Sequence, residues 1–314
     1  MLEMARREIR RRNLSRKTEN AYLNHIRKFL EFVGDGDLSA ERAKKISGFL
    51  EYLRKSTADS TRNQARSALL FFYRDVLGQE LSKSFGRIKR VRPVVRPHPT
   101  YTHAEAETVL ENLHGACFLI AALMYGAGLR LAEAVRLRVR DIDFKADEII
   151  VRDVKTGAID RRSLLPAAIE KHLRQHLAEV EYLHEDDSLA GFGNADLPAF
   201  FVSRSPAAAN EFGWQYLFPA AKLTPGEDGK NGFKRLHLAE STFHKAFAES
   251  IKATPFEKHG RCQILRYSFA TRLFENHCGI RQISRLLGHK NPKTTHGYFS
   301  MEKQIVKSEK CRNS

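Results

Sequence analysis

Residues 265–300 read LRYSFATRLFENHCGIRQISRLLGHKNPKTTHGYFS. Arg266 opens a run in which Phe269, Leu273 and Phe274 recur at helical spacing and form an apolar face, which puts the arginine at a helix start. Ile280, Ile283, Leu286 and Leu287 make a second short helix that stops at Gly288. His289 therefore falls just past a C-cap, where a side chain can point into a cleft. Tyr298 follows, after the turn-forming Lys290-Asn-Pro-Lys293 and a pair of threonines. Singly, these are a solvated charge, a cap and a core-edge aromatic. Together they place several residue types suited to phosphodiester chemistry in one short segment.

Working outward, 314 residues are enough for two domains, each with its own core. The 53 Lys and Arg against 37 Asp and Glu leave a net charge of +16, which favours a polyanionic partner, nucleic acid first. Cys117, Cys262, Cys278 and Cys311 have neither CxxC spacing nor histidine pairing suited to zinc, and read as reduced thiols in a cytosolic protein. The most apolar run, residues 117–129, is too short to span a membrane and reads as a buried core helix. The start, MLEMARREIRRRNL, lacks the apolar stretch of a secretory signal. These features imply a cytoplasmic protein without a membrane partner.

Residues 1–78 read as a compact helical domain. Ser15 is a plausible N-cap for a helix with Tyr22, Ile26, Phe29 and Val33 inward, ended by Gly34. Ser39 precedes a second, with Ile46, Phe49, Leu50 and Leu53 inward, and Ser60 a third, with Ala65, Leu69, Phe72 and Val76 inward. The opposite faces carry Lys17, Arg27, Lys28, Arg54, Lys55, Arg62 and Arg66, which suit solvent and DNA equally. Residues 79–101 then accumulate Lys83, Arg87, Lys89, Arg90, Arg92 and Arg96 among Pro93, Pro97 and Pro99, with only Glu80 opposing them. This is an extended cationic linker able to follow a phosphate backbone.

A second domain, 102–314, begins at Thr102, where Thr102-His-Ala-Glu105 has capping-box form. In Tyr125-Gly-Ala-Gly-Leu-Arg130-Leu-Ala-Glu133 the glycines suit a tight turn before a new helix, and Arg130 and Glu133 share a face. That pair is either an ordinary helix ion pair or an arginine held in place by a carboxylate. Residues 148–152 and 161–165 flank Lys155-Thr-Gly157 as a β-hairpin, with Lys155 near its tip. Residues 166–184 form an amphipathic helix. From about 185 to 235 helical periodicity is mostly lost, with Trp214 and Tyr216 clustered in EFGWQYLFP. Helix returns at Ser241, with Phe243, Phe247 and Ile251 in register. The fold class is mainly α with a small antiparallel β component.

Displacement at a phosphodiester concentrates negative charge on the non-bridging oxygens, so catalysis needs fixed cations and donors around them. Arginine fits because its fork binds phosphate in bidentate fashion and stays charged. Arg130 and Arg266 would be that pair. Tyr298 would attack once positive neighbours favour its phenolate, His289 would donate to the phosphate, and Lys155 would protonate the departing oxygen. No carboxylate cluster suited to magnesium is evident, and no cofactor or metal is expected.

The two arginine boxes, the hairpin lysine, Leu286-Leu-Gly-His289 and the terminal tyrosine resemble the tyrosine recombinases, the phage integrase family. The resemblance covers nearly the whole chain. It implies an N-terminal helical core-binding domain and a C-terminal catalytic domain that together form a metal-free bacterial recombinase. Such an enzyme forms a 3′-phosphotyrosyl link, passes through a Holliday-type junction and acts as a homo-tetramer on paired DNA sites. The runs NLSRKTENAYLNHIRKFLEF and ALLFFYRDVLG, and an added segment at about 193–219, are similar to the integron integrases. In those relatives the added segment carries a helix that helps recognise extruded bases of a folded single-stranded cassette site. Trp214 and Tyr216 could stack on such bases, or build a small core beneath a loop. Lys89, Arg90, Arg92 and Arg96 would meet the DNA backbone.

One departure stands out. The family has His-x-x-Arg in its second box, and here the run is Gln263-Ile-Leu-Arg266. Glutamine can donate to a phosphate oxygen but cannot shuttle a proton. His259 is four positions earlier and could substitute only if the loop is rearranged. Tyr267 also departs, standing where relatives often have histidine. A catalytically impaired DNA-binding relative is the competing reading, and a type IB topoisomerase shares the chemistry but not the terminal spacing or the added segment.

Overall fold

A computed structural model describes residues 1–34, 38, 41–79, 98–153, 156–198, 201, 205–225, 232–256, 261–295 and 298. The chain divides into two compact units, Met1–Arg96 and Pro97–Ser314.

The first unit is built from α1 (Leu2–Arg11), α2 (Arg16–Val33), α3 (Arg42–Arg54) and α4 (Asp59–Phe71), the last running into a π-turn at Phe72–Val76. Ser15 caps α2, its hydroxyl accepting from the Thr18 N–H at 3.2 Å, and Gly34 closes it at a φ of 64°. Ile26, Phe29, Ile46, Phe49, Leu53, Ala65 and Leu69 are buried together, as their spacing predicts. Ser39 is outside the described residues, and the first residue of α4 lies just before Ser60. Arg62 is not simply solvated, because its Nε donates to the Leu50 carbonyl at 3.2 Å.

Helix α1 is not evident from composition. Its arginines pair with Glu3, Glu8 and Glu19, and Arg12, just past its end, with Asp75. Exposed pairs of this kind contribute ~0–1 kcal/mol each, whereas burying one Ile side chain is worth ~1.5–3 kcal/mol. Ala5 and Ile9, one helical turn apart and fully buried, therefore decide its attachment.

In the second unit Thr102 forms the expected capping box with Glu105 at the start of α5 (His103–Glu111). The apolar α6 (Gly115–Gly126) is the central element, packed on α5, on α8 (Glu170–Leu189) and on α10 (Gln263–Glu275). A short α7 (Leu131–Ala134) leads to a three-stranded antiparallel sheet of β1 (Ile142–Asp143), β2 (Glu148–Arg152) and β3 (Ile159–Leu164). The β2–β3 register, Glu148↔Leu164 through Val151↔Arg161, is the predicted hairpin, with a bulge at Val151/Arg152. Strands β4 (Thr224–Pro225) and β5 (Phe233–Lys234) pair separately. Phe243, Phe247 and Ile251 are buried on α9 (Glu240–Lys252), and α11 (Ile280–Leu286) stops before Gly288 at a φ of 62°.

Other boundaries differ from the sequence reading, and Arg266, read at a helix start, is the fourth residue of α10. Helix α8 continues to Leu189. Residues 98–101, read as linker, pack into the second unit: Tyr101 is buried and its N–H donates to Ser268 Oγ at 2.7 Å.

Candidate active site

The site is assembled by the turn before α7, by strand β3, by the first turns of α10, and by the segment after α11. Gly128 sits at a φ of 66°, and a Cβ there would lie 2.5 Å from the Phe269 ring. Only glycine allows this turn to close onto α10 and present Arg130. Arg130 then caps α7. Its backbone N–H and its Nη1 donate to the two oxygens of Glu133 at 2.8 and 2.6 Å.

Glu133 is the hub. Besides Arg130 it accepts from Arg161 Nη2 and Nη1 at 2.7 and 3.1 Å, and Arg266 Nη1 lies 3.6 Å away. Burial alone would raise its pKa, but the hydrogen bonds and charge of Arg161, with those of Arg130, outweigh it and hold the carboxyl at about 2. Asp160 also pairs with Arg161, at 3.2 Å. Three guanidiniums thus face two carboxylates, and the cluster keeps a surplus of positive charge for an anion.

The two arginines singled out in the sequence are placed differently. Arg130 is 39 % exposed at its side chain, whereas Arg266 is fully buried. Arg266 donates to the carbonyls of Gly128 and Leu287 at 2.6 and 2.5 Å and lies 3.2 Å from His289 Nε2. Its Nε–H has no partner among the described residues. A buried donor of this kind costs ~1–3 kcal/mol until something accepts from it. Burial, then Arg130, lower the Arg266 pKa to about 10, so it stays charged at neutral pH.

His289 is held at both ring nitrogens. Nδ1 lies 2.8 Å from the hydroxyl of the fully buried Thr295, and Nε2 faces Arg266 and, at 3.4 Å, the Tyr298 hydroxyl. Burial first, then the charges of Arg266, Arg130 and Arg161, push its pKa down to about 4. It is therefore neutral at pH 7. Because a guanidinium can only donate, Nε2 is the acceptor and Nδ1 carries the proton to Thr295.

Arg130, Glu133, Arg266, His289 and Tyr298 are thus brought together. Gln263 is the first residue of α10, half-buried, and makes no side-chain hydrogen bond among the described residues. Lys155, Lys89, Arg90, Arg92, Arg96 and His259 lie outside the described residues. Arg161 is the residue that sequence reasoning missed: besides Glu133, its Nε reaches the Leu286 carbonyl at 2.8 Å. Gly288 packs directly on it, since a Cβ there would lie 2.7 Å from Nη1. Arg161 therefore ties the sheet to the end of α11 beside His289. No group of three or more His, Cys, Asp or Glu among the described residues could hold a metal ion. Likewise, no helix of the described residues is long and apolar enough to cross a membrane.

Trp214 and Tyr216 need correction as base-stacking candidates. Trp214 is 1 % exposed, packed with Ala195, Leu197, Phe201 and Ala208. The guanidinium of Arg140 lies 4.2 Å from its ring centre. Tyr216 is buried, with Arg138 stacked 3.6 Å from its ring. Trp214 builds the small core beneath the added segment, and Tyr216 is held between Arg138 and His237. That segment is pinned to the turn after α7 by hydrogen bonds from Val139 N–H to the Gln215 carbonyl and from Leu217 N–H to the Leu137 carbonyl.

With this arrangement in hand, comparison with known proteins gives its class. The chain belongs to the phage integrase family, the tyrosine recombinases: the family profile matches residues 100–304, and the N-terminal SAM-like domain profile of phage integrases matches residues 1–83. It is 34 % identical over 298 residues to an integrase/recombinase of Escherichia coli, covering 94 % of this chain and 87 % of the relative. It is also 28 % identical over 307 residues to the tyrosine recombinase XerA of Thermococcus onnurineus, covering 95 % of this chain and 90 % of that protein. Among solved structures, the XerH site-specific recombinase bound to a palindromic difH substrate superposes with a TM-score of 0.67 at 19 % identity, over 95 % of this chain and 80 % of that one. A lambda integrase tetramer bound to a Holliday junction gives 0.64 at 16 % identity, over 95 % of this chain and 75 % of that one. These structures share its fold.

Proposed function

We propose that this protein is a site-specific DNA recombinase that cleaves and rejoins DNA through a 3′-phosphotyrosyl intermediate. The observation that carries the reading is the convergence of Arg130 and Arg266 on one buried carboxylate, Glu133, with His289 against Arg266 and Tyr298 against His289. In the proposed step the Tyr298 oxygen attacks phosphorus, the 5′ oxygen leaves with its electron pair, and Lys155 supplies the proton that oxygen needs. Arg130 and Arg266 hold the non-bridging oxygens. Neutral His289, with Nε2 toward the phenol, takes the Tyr298 proton. The imidazolium so formed then donates to the phosphate, which reconciles an acceptor geometry with the donor role expected from the sequence. Ligation runs the same transfers backwards, with a free 5′ hydroxyl as nucleophile.

The partner is DNA, and the working assembly a homo-tetramer on paired sites; a lambda integrase of the same fold, bound as a tetramer to a Holliday junction, supports that reading. Within the family we place the protein with the integron integrases, acting on gene-cassette sites as duplex and as folded single strands. The N-terminal run and the added segment at 193–219 support that placement. Because Trp214 and Tyr216 are occupied in the interior, base recognition would fall to other residues of the segment. The test is competition between a folded cassette-site strand and the same sequence as duplex, with recombination between two sites as the readout. Preference for the folded strand is expected, and equal use of duplex would move the protein to the general phage-integrase class.

Gln263 favours the second reading, an impaired relative that binds without turnover. Its signature would be tight, salt-sensitive binding and no covalent product.

A further inference from the structure

Three aromatic rings lie against Tyr298, which also packs on the cluster of Phe269, Ala270, Ile283 and Leu287. Tyr267 meets it edge-on with centroids 4.8 Å apart at 82°, His289 at 5.4 Å and 86°, and His98 at 5.9 Å and 81°. His98 in turn lies flat on Tyr267, 4.2 Å between centroids and 19° between planes. Among the described residues the Tyr298 hydroxyl has a long hydrogen bond, 3.4 Å to His289, and a hydrogen-bond interaction with the Tyr267 phenol. Ring packing against His289, Tyr267 and His98 thus helps fix where the phenol oxygen lies.

We propose that His98 and Tyr267 form an aromatic clamp that positions Tyr298 for attack, with His98 stacked as a lid on Tyr267. This rests on the reading of Tyr298 as nucleophile, and neither clamp residue is assigned to the chemistry itself. Three features support the clamp. His98 is exposed, yet its ring stacks flat on Tyr267 instead of extending into solvent. Tyr267 is anchored on α10 one residue after Arg266, so the clamp and the arginine cluster share one rigid element. Burial, with the neighbouring Tyr298, raises the Tyr267 pKa, which keeps its phenol protonated and unsuited to attack in place of Tyr298.

An edge-to-face pair is worth ~0.5–1.5 kcal/mol, and a displacement of about 1 Å at a reacting atom can cost on the order of 10²-fold in rate. His98→Ala and Tyr267→Ala should therefore each slow covalent DNA attachment by about tenfold or more, with DNA affinity and melting temperature unchanged for the exposed His98. His98→Phe, which keeps a stacking ring, should restore the rate to within about threefold, and Tyr267→Phe likewise.

The test has two arms on the full-length protein. In the first, fluorotyrosine is placed at position 298 and its fluorine resonance recorded without DNA. The clamp predicts a ring-shifted resonance that moves toward the value of free fluorotyrosine in His98→Ala and in Tyr267→Ala, and stays in His98→Phe. A resonance that neither alanine variant moves overturns the clamp. In the second, single-turnover attachment to a nicked, folded cassette-site oligonucleotide is timed for the same variants beside Tyr298→Phe. Alanine variants that attach at the wild-type rate overturn the positioning role. Absence of attachment in the wild type counts against the recombinase reading alone, because the first arm judges the clamp without DNA.

Discussion

Replacing Arg161 with methionine removes the guanidinium that donates to both oxygens of Glu133 at 2.7 and 3.1 Å and to the Leu286 carbonyl at 2.8 Å. The side chains of Arg161 and Glu133 are 6 % and 8 % exposed, so solvent screens the pair little. Removing one partner of a buried ion pair costs ~3–5 kcal/mol, chiefly because the other charge is left without compensation. Arg130 and Arg266 remain beside Glu133, which puts the expected loss near the lower end, about 3 kcal/mol. With a urea dependence of ~2 kcal/mol per molar, the unfolding midpoint should fall by about 1.5 M. The chain has a single tryptophan, Trp214, buried in the second unit, so its fluorescence follows that unit alone. The double variant Glu133→Gln/Arg161→Met leaves no orphaned carboxylate and should recover part of the loss, a coupling that a double-mutant cycle measures. If Arg161→Met lies within about 0.5 kcal/mol of wild type, the argument that Glu133 is a buried hub held by this arginine is refuted.

Acid should destabilise the protein in two stages. His289 is lowered to about 4 by burial and by Arg266, and Glu133 to about 2 by its arginines acting against burial; their ordinary values are 6.5 and 4.5. Both folded values lie below the unfolded ones, so the unfolded chain binds more protons and stability falls as pH falls. His289's share is complete above pH 6.5 and lost on the way to 4, and Glu133's is complete above 4.5 and lost toward 2. Urea midpoints measured across that range should show both limbs, and His289→Gln should shrink the upper one, leaving the part due to His237, which burial also lowers. Gly128→Ala forces a side chain onto the Phe269 ring at a φ of 66° and should cost about 2–4 kcal/mol by the same fluorescence assay. Gln263→His should raise the single-turnover attachment rate by about tenfold or more, since one donor at a reacting phosphate is worth on the order of 10² to 10³. An unchanged rate would mean that position 263 does not reach the phosphate.

The parts of the fold legible in the sequence are those where one face of an element is apolar and the punctuation is local. Ser15 and Gly34 bracket α2, and Phe243, Phe247 and Ile251 line α9, for that reason. Arg130 and His289 were legible because each follows a turn-forming glycine whose geometry the chain needs, Gly128 and Gly288, and Arg266 because the apolar helical spacing after it marks the start of α10. Arg161 was not. On β3 the inward positions are Arg161 and Ser163, while Leu164 is 58 % exposed, the reverse of what hydrophobicity suggests. Only the pairing of Arg161 with Val151 across the hairpin, and the carboxylate waiting on α7, explain an inward arginine. Helix α1 escaped for a related reason: two buried side chains hold it among many charges. For Trp214 and Tyr216 the sequence left base stacking and a small core beneath a loop both open. Both side chains are buried, with arginines of the same unit, Arg140 and Arg138, covering the rings, which favours the interior role.

The central claim is that Tyr298 is the nucleophile, and a nicked suicide substrate tests it most directly. The labelled cassette-site strand is incubated with wild-type protein and with Tyr298→Phe, and the covalent product is digested and mapped by mass. The account predicts a DNA-linked peptide carrying the phosphate on Tyr298 and its complete loss in the variant. An adduct that persists in Tyr298→Phe, or maps to another residue, would contradict it.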